Sequence, residues 1–387
     1  SIVPLAFIIT LPGLCACIFV LALTLPQLVY IYFADSSESN KPTLVTSLRK
    51  CLQVDYAVWR IVTEAVGVGR RVARDLLLRR VQNRHHYRTL QGMSLDVYAP
   101  LTGDETAALA PVVMFFSPQI RPFASRKVIF SSLGANLADV VGAVVVIPDL
   151  PNHPEGRIKE QIEAAREAIK WAIDNVHRFG GDPNLLYLAG MGVGATIAQL
   201  VPLQAAVVES RRQFLAIDPG KTGEDLPTGV KEVQEYGGNI PIPRIEGLIV
   251  ISPITNVEEQ MVDEESRGMD HLSLTRRTFG PTERACYFHS PAHLLYAARN
   301  IIQVDLLPRK VLFIHGQVVL LAGLDKYIKH TQSEEMKEIL RGVGVEETRV
   351  KLYTSGHWGT VLPLMCDLQG PPLIDEGKST LVWLSPC

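Results

Sequence analysis

This chain has no cysteine pairing pattern, no metal-ligand spacing and no dominant charge. Its six cysteines, Cys15, Cys17, Cys51, Cys286, Cys366 and Cys387, include no Cys-x-x-Cys pair, and none lies at zinc-ligand spacing from a histidine. No metal or cofactor site is therefore expected. A chain of 387 residues, 47 % of them hydrophobic, buries a core without a disulfide framework, so the cysteines read as free thiols of a reducing compartment. A net charge of −2 and a pI of about 6.6 exclude a nucleic-acid binder built on a basic surface. Internal repeats and low-complexity tracts are absent.

Charge is also missing locally. Residues 2–33 contain no Asp, Glu, Lys or Arg, and a bilayer core needs about 20 apolar residues in helix. Pro4, Pro12 and Pro26 interrupt the run, which places an expected membrane span at 11–33 with a kink near Pro26. Tyr30, Tyr32 and Phe33 suit a membrane–water interface. A cleaved signal peptide would need a basic n-region and a small-x-small site, and neither is present. Residues 1–34 are read as a single-pass transmembrane segment.

Residues 35–84 follow as a polar linker and a basic helix. Residues 41–90 carry eleven Lys and Arg against three acids, while the rest of the chain is net acidic. Between 48 and 82, Leu52, Val54, Trp59, Val62, Val66 and Leu76 alternate with Arg49, Lys50, Arg60, Arg70, Arg74 and Arg80 at helical spacing. That pattern suits a helix on an anionic membrane surface, on a protein partner, or packed against the chain's own domain.

From about residue 85 short apolar runs alternate with helical periodicity. Strands are expected at 94–98, 111–117, 142–148, 186–190, 246–252, 310–315 and 348–353, and helices at 157–178, 194–208 and 332–341. The alternation predicts an α/β fold: a mostly parallel sheet with helices on both faces. Residues 210–245 read as a surface insertion, and 254–300 as a cap over the carboxyl edge of the sheet.

The informative segment is Leu186-Tyr187-Leu188-Ala189-Gly190-Met191-Gly192-Val193-Gly194-Ala195-Thr196. A strand entering a helix through G-x-?-x-G has the shape of a nucleophile elbow. The central residue of a working elbow is a serine activated by histidine. Here it is Gly192, which has no side chain.

The chain resembles an α/β-hydrolase of the esterase/lipase kind, and most closely the membrane-bound isoprenylcysteine carboxyl methylesterases. The resemblance covers roughly residues 85–365. It rests on the elbow, on Phe179-Gly180-Gly181-Asp182-Pro183-Asn184, on Asp149-Leu150-Pro151-Asn152-His153-Pro154-Glu155-Gly156, on Phe288-His289-Ser290-Pro291, on His315-Gly316 and on Gly356-His357. It implies an α/β-hydrolase-like domain over 85–387. It also implies a degenerate site in which Gly192 takes the nucleophile position and His357 the base. The acid falls at Val319 by direct register, or at Asp325 if six residues are inserted. The oxyanion loop maps to Ser117-Pro118-Gln119, where Pro118 has no N–H to offer.

With the nucleophile and the loop both altered, the expectation is a catalytically inactive pseudo-esterase, a structural or interaction subunit of a membrane protein complex. A lipid- or prenyl-binding module using the old acyl pocket is the first alternative. An active carboxylesterase or methylesterase with an unusual nucleophile is the second. Expected partners are membrane lipids, through 11–33 and the basic helix 48–82, and other subunits of the complex. The resemblance implies the endoplasmic reticulum membrane, with the mitochondrial inner membrane if a presequence has been removed.

Overall fold

The computed structural model describes residues 3–33, most of 49–70, 84–88, 92–100, 109–118, 129–153, 155–217, 222–267, 273–280, 282–316, 327–354 and 356–365. The chain divides into two compact units. One comprises Ser1–Arg70 and Met261–Arg277, the other Arg71–Gln260 and Thr278–Cys387.

In the first unit, helix α1 spans Val3–Phe33. Uncharged and rich in Leu, Ile and Val, it exposes Leu14, Ile18, Phe19, Val20, Leu21 and Leu28. Its shorter apolar stretch, Gly13–Leu25, falls below the ~20 residues that cross a bilayer core, so the expected span at 11–33 rests on the sequence. The described residues between 49 and 70 are helical as well, and the remainder of the expected basic helix lies outside the described residues.

The second unit is built on one eight-stranded sheet of order β1-β2-β4-β3-β5-β6-β7-β8. Its strands are β1 (Arg84–Arg88), β2 (Ser94–Tyr98), β3 (Ala110–Phe116), β4 (Val144–Pro148), β5 (Gly181–Met191), β6 (Gly247–Ile251), β7 (Lys310–Gly316) and β8 (Glu347–Tyr353). β1 and β2 pair antiparallel, as do β2 and β4, and the neighbours from β4 through β8 run parallel. Every residue of β4, β6 and β7 is buried. Continuous apolar strands of this kind require cover on both faces. Helices α2 (Ser131–Val141), α3 (Ile158–Asn175) and α4 (Val193–Ile217) lie in the crossovers. α4 is apolar and long enough to cross a membrane, yet 78 % of that window is buried, which makes it the core helix of the unit.

The expected strands are all present, with shifted ends. β5 starts at Gly181 rather than 186, and α4 extends to Ile217, past the expected start of the insertion at 210. Within 222–246 there are only a 3-10 turn, Gly223–Asp225, and one helical turn, Thr228–Lys231. The described residues of 254–300 form four short helices, Val257–Ser266, Leu274–Phe279, Glu283–Phe288 and Pro291–Ala298. β1 and α2 are elements that periodicity does not reveal.

The topology places a crevice where the strand order reverses, between the carboxyl ends of β3 and β5. Phe116 at the end of β3 pairs with Gly190 near the end of β5. At this junction the backbones touch. A Cβ at Gly190 would lie 2.5 Å from the carbonyl of Gly194, and one at Gly194 would strike the carbonyls of Phe116 and Ser117. Glycine is the residue that fits there.

Away from the crevice, the fully buried Arg166 of α3 pairs with Glu235 at 2.6 Å and donates to the carbonyls of Gly237 and Ile240. The pair ties α3 to the segment leading into β6.

Gly194→Ala is expected to lower unfolding stability by about 3 kcal/mol, the upper range for overpacking, because backbone atoms receive the added methyl. Denaturant unfolding measures it. A loss under about 0.5 kcal/mol, within the range of surface substitutions, would contradict the close approach.

Candidate functional site

The turn from β5 into α4 is formed by Gly192, with φ +55, a left-handed conformation that costs glycine little. Its N–H donates to Ile251 O of β6 at 2.9 Å, and its carbonyl accepts from Thr196 N–H at 3.1 Å. The Thr196 hydroxyl donates to Ile254 O at 2.8 Å and accepts from Ile254 N–H at 3.1 Å. The turn is thereby fastened to the loop after β6.

That loop contains a feature sequence reasoning missed. Ser252 has φ +45 and is fully buried. A non-glycine residue in this region is strained and concentrates at functional sites. No residue pattern announces it, since the conformation is set by the N–H bond from Ser252 to Ile314 O at 2.8 Å.

His357 heads the short turn His357–Thr360 after β8 and is buried. The Thr360 hydroxyl holds its carbonyl at 2.7 Å. Its ring packs with Tyr327 and Trp358, at centroid distances of 5.4 and 6.1 Å. Trp358 in turn stacks near Phe130. From this position Nε2 lies 3.9 Å from where a Gly192 Cβ would stand, and the Pro118 Cβ lies 3.6 Å from the same point. Three expected site residues, Gly192, His357 and Pro118, therefore converge, with Ser117 preceding Pro118 at the end of β3. Val193 opens α4, and N–H groups in a first helical turn have no partner inside the helix.

Gln119, Val319 and Asp325 lie outside the described residues. His315 is a packed residue: its Nε2 donates to Ile328 O at 3.0 Å and its Nδ1 faces Ser333 Oγ at 2.9 Å. Ser290 is engaged structurally, donating to Cys286 O at 2.6 Å and accepting from Val257 N–H at 2.9 Å. Asp182 serves as the turn residue its position suggests, accepting from Asn184 N–H at 2.9 Å. Among the described residues no His, Cys, Asp and Glu cluster could hold a metal ion.

A parallel sheet with a tight strand-to-helix turn at its reversal point, faced by a histidine from the loop after the last strand, is the architecture of an α/β hydrolase. A family model described as an alpha/beta hydrolase fold matches residues 127–335, more than half of the sequence. The chain belongs to that family.

It is 33 % identical over 144 residues to a probable isoprenylcysteine alpha-carbonyl methylesterase of Arabidopsis thaliana, covering 37 % of this chain and 30 % of the relative. A probable isoprenylcysteine alpha-carbonyl methylesterase of Oryza sativa is 27 % identical over 215 residues, covering 55 % and 44 % respectively. The matched stretches thus span less than half the length of these relatives. Esterase B of Lactobacillus rhamnosis superposes with a TM-score of 0.58 at 14 % identity, covering 87 % of this chain and 96 % of the esterase, a likeness of fold.

These findings correct the expectation of a catalytically inactive scaffold. The relatives matched in sequence are named as isoprenylcysteine methylesterases, enzymes of the carboxylic ester hydrolase type, and nothing in the comparisons supports inactivity. That expectation rested on Gly192 at the turn and Pro118 in the loop after β3, yet His357 still faces the turn.

His289, from the expected motif Phe288-His289-Ser290-Pro291, is buried against Tyr236, whose hydroxyl lies 3.0 Å from Nε2. Burial pushes its imidazole down to about 4 from 6.5, outweighing the Ala285 carbonyl that favours the cation. Between pH 6.5 and 4 the unfolded chain therefore binds a proton that the folded chain does not, and stability falls as pH falls through that window. The linked loss is about 3 kcal/mol by pH 4. His289→Gln is expected to flatten the dependence of unfolding free energy on pH between 6.5 and 4. An unchanged slope would remove His289 from this account.

Proposed function

We propose that this chain hydrolyses carboxylic esters, with Gly192 standing where serine esterases of this fold carry their nucleophile, and with water taking the nucleophile's part. The observation that carries the reading is the 3.9 Å between His357 Nε2 and the Gly192 Cβ position. In this reading a water takes the place that a Gly192 side chain would occupy, in front of that nitrogen.

The step balances without a covalent intermediate on the enzyme. His357 Nε2 takes a proton from the water as its oxygen bonds to the ester carbonyl carbon. The negative charge that develops on the carbonyl oxygen is met by the N–H groups opening α4. The tetrahedral species collapses with cleavage of the bond to the alkoxy oxygen. The imidazolium returns its proton to that oxygen, and acid and alcohol leave. Tyr327, Trp358, Phe130 and Pro118 make the surroundings of His357 apolar, which favours an ester carried on an apolar group. The isoprenylcysteine methylesterases named among the relatives support the same substrate class.

Purified chain is expected to turn over p-nitrophenyl and prenylcysteine methyl esters, and His357→Ala to reduce kcat/KM about 100-fold or more, the worth of a general base. A serine-directed fluorophosphonate should leave the natural chain unlabelled and label Gly192→Ser. Activity that survives His357→Ala in a folded variant, or labelling of the natural chain, would overturn the reading.

A further inference from the structure

The helical stretch between Arg49 and Arg70 divides into two unlike faces. Cys51 and Val54 are buried at 1 % and 2 % exposure, whereas Leu52, Tyr56, Trp59 and Val66 are exposed at 52, 62, 67 and 47 %. At about 100° per residue, the geometry of 3.6 residues per turn, these four share one stripe. Exposed Arg49 and Arg70 stand at its two ends. Among the described residues of the stretch the one carboxylate is Asp55, which is half-buried; its Oδ1 has no hydrogen-bond partner, and burial raises its pKa. Among the described residues the exposed stripe is apolar except for Thr63, with cationic Arg49 and Arg70 at its ends.

We infer that this stripe is a docking surface for an anionic phospholipid bilayer and lies in the plane of the headgroups. Three observations select lipid as the occupant. Trp59 and Tyr56 have the amphipathic rings that settle at headgroup depth, with aliphatic Leu52 and Val66 beside them. Residues 41–90 carry an excess of eight positive charges while the rest of the chain is net acidic, so a negatively charged surface attracts this segment selectively. Arg49, Leu52, Gln53 and Tyr56 together line one open surface depression, which sets a cation beside apolar groups.

The same unit supplies a neighbouring lipid-compatible surface. α1 exposes Leu14, Ile18, Leu21 and Leu28, which at 3.6 residues per turn also share one face. α1 ends at Phe33, so the two apolar surfaces are separated by a short stretch of chain.

The test uses the full chain reconstituted into liposomes of phosphatidylcholine brominated on its acyl chains, with or without phosphatidylserine. Bromine quenches tryptophan only in contact, and the difference between the natural chain and Trp59→Phe isolates the contribution of Trp59. Trp59 is expected to be quenched in the phosphatidylserine liposomes. Its quenching should fall about twofold or more in 1 M salt, where the Debye length is about 3 Å, and in Arg49→Glu/Arg70→Glu. A Trp59 that stays unquenched in every liposome would overturn the proposal and assign the stripe to a protein partner. Quenching indifferent to phosphatidylserine, salt and both arginines would equally overturn recognition of anionic lipid. The hydrolase reading is untouched by either result, since neither variant lies in the site around His357.

Discussion

The architecture depends on backbone atoms meeting where β5 enters α4. Gly190 lies against Gly194, and Gly194 lies against the carbonyls at the end of β3. This contact lets α4 start directly beneath the sheet, buries 78 % of its apolar window and fixes the direction in which Gly192 points. Thr196 then bonds Ile254, and Gly192 bonds Ile251, so one turn holds β3, β5, β6 and α4 in register. A side chain at either packing glycine would force these elements apart, and the crevice would widen by the same displacement.

What the junction positions is a histidine delivered from a distant part of the chain. His357 follows β8 at the far edge of the sheet and still comes within 3.9 Å of the Gly192 Cβ position. Its place is set by aromatic packing with Tyr327 and Trp358 and by the Thr360 bond to its own carbonyl. The other buried histidines have a different use. His315 bridges Ile328 and Ser333, and His289 is held neutral by burial beside Tyr236. Both support the fold around the site.

The sheet was legible in the sequence because its central parallel strands are buried, which leaves continuous apolar runs such as Val144–Pro148 and Gly247–Ile251. β1, Arg-His-His-Tyr-Arg, was not, since an edge strand paired only with β2 needs no apolar face. Gly192 and His357 were legible through the turn glycines and the Gly-His pair. The strain at Ser252 was not, because φ there is imposed by the strands on either side. Activity was not legible in the same way: Gly192 and Pro118 suggested an inactive site, whereas the packing that brings His357 to the turn is long-range.

The central claim is that water, activated by His357, attacks the ester directly in front of Gly192. Rapid mixing of the chain with a p-nitrophenyl ester, followed over the first turnovers, tests this directly. The account predicts p-nitrophenol released linearly from zero time at a rate that requires His357. A burst equal in amount to the enzyme would reveal an acyl-enzyme, and with it a nucleophile elsewhere in the chain, and would contradict the account.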